Sequence, residues 1–283
     1  MWDPVLTWGA GLGLLFVGAL YARGVGVLWG RAGRGKGARY LQVAAFTLGL
    51  YILAVALLSP LDAMSHLLFS AHMAQHMLLV LVAAPLLVWS APLVPLLWGL
   101  PGPGRRALLR GWGRARWAQR VLLTLTAPAS VWPLFTLALW VWHLPALYQA
   151  ALRYPGVHIL EHASLLGAAS LFWWLILQPL GRRRLNHGAA VLFVFTTSVH
   201  STVLSALLIF APTPLYPVYA ESAALWGITP LEDQRFAGLV MNLPMSLTFL
   251  LTAAALFLFW LRGMETKARG RSGEGPADVF PSS

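Results

Sequence analysis

Long apolar stretches alternate with short polar links along this chain, and the length of the stretches decides what they are. Seven of them, at roughly 5–22, 40–59, 71–98, 121–142, 157–180, 189–211 and 234–261, are long enough at 1.5 Å rise per residue to cross a hydrocarbon layer of about 30 Å. They predict an all-α fold, an integral membrane bundle of seven transmembrane helices occupying residues 1–262. The links from Gly30 to Arg39, Gly99 to Arg120 and Gly181 to Gly188 are rich in Gly and Arg and read as solvated loops within one domain. Residues 263–283, with Gly, Ser, Pro and alternating charges, read as a disordered cytoplasmic tail. Pro212, Pro214, Pro217 and Pro230 disfavour regular helix between the last two spans and predict a partly ordered cap over whatever lies beneath. Pro85, Pro128, Pro133 and Pro244 fall inside spans, where they predict kinks and freed carbonyls.

Composition supports this class: 58% of the 283 residues are apolar and 10% charged. Of the 20 Lys and Arg, all but Arg153 and Arg235 fall in links on one side of the predicted bundle. Basic residues bias toward the cytoplasmic side, so the N-terminus is expected outside and the C-terminus in the cytoplasm. The formal charge of +11 does not call for nucleic acid, because the basic residues are dispersed over those links and are explained by topology and anionic headgroups. Asp3 stands where a cleaved signal peptide would carry a basic residue, so the first span is expected to stay. With no cysteine, disulfides, thiolate metal sites and dithiol redox chemistry are excluded.

Histidine supplies the candidate chemistry. His72 with His76, and His158 with His162, stand four residues apart just inside the same end of two spans. Each pair therefore presents two imidazoles from one helix face with Cβ atoms about 5–6 Å apart, close enough to share a cation. By the predicted topology His66, His72, His76, His143, His158 and His162 all lie at or within two turns of the outer face. His200 lies roughly 16 Å into the sixth span. Glu161, on the face of His158, is costly in lipid unless a cation or charged imidazole compensates it, either as a ligand or by orienting one. Met73 and Met77 run beside the first His pair, and Met241 and Met245 repeat the spacing in the last span. Thioether with imidazole favours copper, Cu(I) above all, over harder ions. The competing readings are that the methionines are core, that His200 bonds a neighbouring helix, and that the tryptophans Trp89, Trp140, Trp142, Trp173 and Trp174 form belts and packing.

Several ordered motifs resemble one family. His72-Met73-Ala74-Gln75-His76-Met77-Leu78-Leu79 with Ala84-Pro85, Trp142-His143-Leu144-Pro145 with Leu147-Tyr148, His158 to His162 with Glu161, Trp173-Trp174, and Asp233-Gln234 with Ala237-Gly238 and Met241 resemble the CtaG-type cytochrome c oxidase assembly factors of the caa3 class. The resemblance runs from about Ser59 to Arg262 and departs after Met241, where Asn242-Leu243-Pro244-Met245-Ser246 replaces an expected tryptophan and glycines. It implies a multi-pass protein of the bacterial plasma membrane that helps deliver copper to oxidase subunits, in contact with the bilayer and a soluble copper chaperone. It implies functional roles for His72, His76, His143, His158, His162, Asp233 and Met241. The expected metal ligands are thus His72, His76, His143, His158, His162, Glu161, His200, Met73, Met77 and Met241, with no catalytic residue: no general base, nucleophile or phosphate loop is recognisable. Alternatives of other classes are a b-haem electron carrier, for which two histidines on one helix turn leave one over, and a copper permease, whose ligands would continue to the cytoplasmic face.

Overall fold

The computed structural model describes residues 4–177, 185 and 187–272, and every regular element among them is helical. Six helices are long and apolar enough to cross a membrane, and a bent pair brings the number to seven if it counts as one span. The first two long helices are α1 (Pro4–Ala32) and α2 (Tyr40–Leu58), followed by the short α3 (Pro60–Ser65). The third span is composite: α4 (Phe69–Met77), a π-helical segment (Leu78–Ala83) and α5 (Ala84–Trp89). It ends at Trp89, where residues 71–98 were expected to be continuous. A break at Ser90 and Ala91, the latter at φ 49°, starts the separate α6 (Leu93–Gly99). The link from Gly99 to Arg120 is not a loop either. It forms α7 (Gly102–Arg114) and the start of α8 (Arg116–Leu125), neither with a buried residue. Four of the 13 residues of α7 are glycine, so propensity does not make this helix; interleaving apolar with basic residues suits a surface-lying helix more than a solvated coil.

The fourth span, expected at 121–142, is kinked at Pro128 as its position predicts. α8 meets α9 (Pro128–Trp142) at a bend of 71°. Pro128 drives Ala127 into extended backbone (φ −71°, ψ 140°), because the proline ring excludes the helical conformation from the residue before it. α9 then has 15 residues, about 22 Å at helical rise, short of a full crossing. After α9 come α10 (Pro145–Arg153), α11 (Pro155–Leu177), α12 (His187–Phe210), a 3₁₀ turn at Pro217–Tyr219, α13 (Ala220–Ala224) and α14 (Pro230–Ser272). Of the Gly181–Gly188 link, residues 181–184 and 186 lie outside the described residues; of the tail expected at 263–283, residues 263–272 continue α14 and 273–283 lie outside them.

The main core joins α4, α9, α11, α12 and α14 through buried Phe69, Phe135, Phe172, Phe193, Met241 and Phe249. Large apolar side chains such as Trp8, Leu12, Phe236 and Leu250 are exposed. That suits a lipid solvent, in which burial between helices brings no hydrophobic gain and close packing with hydrogen bonds must hold the bundle. α1 meets α6 without intervening side chains: a Cβ on Gly24 would lie 1.8 Å from the Pro95 carbonyl oxygen, and one on Gly99 would lie 2.1 Å from that of Leu20.

The π-helical segment has a specific repair. The Ala84 N–H reaches back five residues to the Leu79 carbonyl, so the next bond in that register would run from residue 85 to Val80. Pro85 has no N–H to give. The Trp173 indole N–H of α11 donates to the Val80 carbonyl at 2.8 Å instead, tying the two site-bearing helices together.

Trp173→Phe is expected to leave that carbonyl unsatisfied and to cost about 1–3 kcal/mol, read as a lower thermal midpoint in detergent. Gly24→Val should lower the midpoint too, by forcing α1 off α6.

Candidate metal centre

α4 places His72 and His76 one turn apart, and α11 places His158, Glu161 and His162 on the face opposite. Ligand-capable atoms of His72, His158, Glu161 and His162 all lie within 4.8 Å of one another. His72 Nε2 and His76 Nε2 are 3.0 Å apart, and Glu161 Oε1 is 3.6 Å from the former and 3.7 Å from the latter. Across the two helices the ring centroids are 5.6 Å apart for His72 and His158, 5.9 Å for His72 and His162, and 5.2 Å for His76 and His162. Two imidazoles sharing an ion through bonds of about 2.0 Å hold their centroids roughly 5–6 Å apart. Bonds of that length keep ligand atoms no more than about 4.2 Å apart, so a small inward rotation would close the set.

Burial makes the cluster costly by itself. His72 and Glu161 have no exposed surface, and His76, His143 and His162 are buried as well. Nε2 of His143, His158 and His162, with both carboxylate oxygens of Glu161, is buried with no hydrogen-bond partner. Orphaned nitrogens and oxygens converging in a low-dielectric site are what a cation would satisfy.

His143 closes α9, at the edge of this group. Its Nδ1–H donates to the Leu139 carbonyl at 2.7 Å, which fixes the neutral tautomer and leaves Nε2 as a lone-pair donor. Other expected ligands are elsewhere. His200 stacks edge-on against Trp132, 4.9 Å between centroids, and is only half-buried. Met73, Met77 and Met241 belong to the apolar core, the packing role that competes with metal ligation for methionine at helical spacing. The neighbouring residue on a helix points about 100° away, which turns Met73 from the direction of His72.

Asp233, assigned a role only by resemblance, and its neighbour Gln234 have structural ones. Leu68 precedes α4 and offers no capping side chain. Asp233 supplies the cap from α14: the Phe69 and Ser70 N–H groups donate to Oδ2 at 2.6 Å and Oδ1 at 3.2 Å. A carboxylate also suits the positive end of the α4 dipole. Gln234 Oε1 accepts from the Leu215 N–H at 2.6 Å, and its Nε2 donates to the Leu208 carbonyl at 3.0 Å, which pins the link between α12 and α14.

That link is the expected cap, and it carries residues whose role sequence spacing does not reveal. The Tyr216 hydroxyl donates to the His143 carbonyl at 2.7 Å, and that of Tyr219 to the Ser65 carbonyl at 2.9 Å. Tyr219 shares a 2.7 Å hydroxyl contact with Tyr148, whose ring lies 5.0 Å from that of His72. Burial pushes all three phenols above the usual tyrosine range, so they stay protonated and donate. His66 was also left out of the expected ligands. The break between α3 and α4 hides its register, yet its ring lies 5.3 Å from that of His158.

Fold and cluster together define a multi-span helical membrane protein that buries an imidazole and carboxylate set near one end of its bundle. Residues 19–263 match the family described as cytochrome c oxidase caa3 assembly factor (Caa3_CtaG), and the chain belongs to that family. It is also 28% identical over 200 residues to the uncharacterized proteins Mb0105 of Mycobacterium bovis and MT0111 of Mycobacterium tuberculosis. The match covers 69% of this chain and 30% of each relative. No solved structure matches.

Asp233→Ala is expected to lower stability by about 1–2 kcal/mol through loss of the α4 cap. It should also loosen His72 and His76, so a metal titration should weaken although no proposed ligand is removed.

Proposed function

We propose that this protein binds copper at the cluster of His72, His76, His158, His162 and Glu161, with His143 beside it, and passes the ion to a cytochrome c oxidase subunit during assembly. The observation that carries this reading is the set of buried, unpartnered nitrogen and carboxylate atoms converging from α4 and α11. Family membership supports the assembly role and its oxidase partner. Imidazole suits copper and zinc, and among divalent ions a nitrogen and oxygen site holds Cu(II) most tightly. The methionines, seated in the core, lend little to the sulfur-based preference for Cu(I).

Delivery requires exchange, and the His72–His76 contact is suited to it: two nitrogens 3.0 Å apart can succeed one another on an ion without the site opening fully. The protein then acts as a carrier, with the ion as cargo and no bond of a substrate made or broken. We place the N-terminus outside and the cluster near the outer face of the bacterial plasma membrane, on the distribution of basic residues. A soluble copper chaperone on that side is the proposed donor. The haem alternative has less support, because imidazoles crowded to centroid separations of 4.2–5.9 Å leave no slot for a macrocycle between them. The permease alternative has less support too, since Thr197 and Ser205 of α12 bond back to their own helix instead of lining a path.

Purified protein is expected to bind a single copper per chain and to show no Soret band. His72→Ala combined with His76→Ala should weaken copper binding by at least about tenfold while helical content is kept. Retention of full affinity by that variant, or a haem spectrum in the wild type, would remove the assignment.

A further inference from the structure

The buried cluster is walled on most sides. The apolar core of Met73, Phe135 and Phe172 lies toward mid-membrane, and Tyr148 with the Tyr216 and Tyr219 cap closes another face. The remaining side borders a cavity of about 1130 Å³ between α1, α2 and α11, lined at one end by Asp62, His66, His158 and His162. At about 30 Å³ per water it has room for a hydrated ion many times over. Its remaining lining is largely apolar, so the polar groups concentrate where the cavity meets the cluster, and exposed Arg153 and Pro155 line it as well.

Within that end the exposure is graded. Asp62 and His66 are half-buried in the connection before α4, His158 is half-buried on α11, and His162 and Glu161 are buried. The His66 and His158 rings stand 5.3 Å apart at 63°, within the roughly 5–6 Å at which two imidazoles can hold one ion. Asp62 is held in place by the Gln75 side-chain N–H, which donates to its Oδ1 at 2.9 Å from the turn between His72 and His76.

We propose that Asp62 and His66 form the port of the buried site, through which the ion arrives from the cavity and leaves again by way of His158. This rests on the metal-binding reading above and adds its route. The step is a ligand exchange: the ion trades a water for His66, gains His158, then loses His66 as His162 and Glu161 close on it. No electron or proton need be transferred. A port that only carries the ion must speed arrival and departure by the same factor, since an intermediate on the route cannot shift the equilibrium between its ends.

The test uses the full chain in detergent micelles with Cu(II), comparing wild type, His66→Ala and His66→Gln by stopped-flow loading, chelator-driven release and equilibrium titration. Both variants are expected to load and release at least about tenfold more slowly, with Kd unchanged within about twofold. Wild-type rates in both variants would overturn the port, as would a weakened Kd with unchanged release, which would make His66 a ligand of the resting site. Absence of Cu(II) binding by the wild type would overturn the metal-binding reading and the port together.

Discussion

The constraint on which this structure depends is the presence of four imidazoles and a carboxylate buried among apolar helices, with several of their lone pairs left unpartnered. In water such groups are satisfied at no cost, whereas in a membrane interior each orphaned polar atom is expensive and a lone carboxylate more so. A fold that keeps them together in that setting needs either mutual compensation or a guest. The contacts between them, His72 with His76 and Glu161 with both, are too few to satisfy every atom. Such a set of donors is what a cation would satisfy, which is the ground of the proposed metal site.

The scaffold around the cluster is built to keep α4 and α11 from drifting apart. Asp233 caps α4 across 164 residues of sequence, and Trp173 on α11 donates to the Val80 carbonyl, which Pro85 has no N–H to reach. The tyrosine cap fastens the ends of α3, α9 and α10 over the same site. Each of these bonds replaces something its own helix cannot supply, and each links the site to a distant segment. Rigidity on three sides with a graded opening on the fourth is the arrangement a carrier needs. It must hold an ion against the surrounding lipid and still release it.

The chain belongs to the caa3 oxidase assembly factor family, from which the proposed carrier role takes its destination. The chain spans 30% of the length of the mycobacterial relatives it matches, so the shared unit there is one part of a larger protein. Within this chain the cluster lies close to the connections at one end of the bundle, where a partner outside the membrane can approach. The basic amphipathic pair α7 and α8 lies at the opposite end.

The helical membrane class and the pairing of histidines on single helix turns were legible in the sequence, because both depend on local periods: about 20 apolar residues to cross a bilayer, and 3.6 residues per turn. The same locality explains the errors. Pro128 bends the fourth span as its position predicts, but the size of the bend, 71°, is not set locally, and the Gly-rich, Arg-rich link that reads as a loop forms the surface helix α7. Tertiary structure alone decided which histidines converge. His200 and the methionines satisfied every spacing rule and still went to Trp132 and the core, while His66, hidden behind a helix break, came to lie beside His158. It also turned Asp233 into a cap on a helix 164 residues away. Spacing along one helix fixes only what that helix presents; what faces it across the bundle depends on how separate helices rotate and pack, and no local period encodes that.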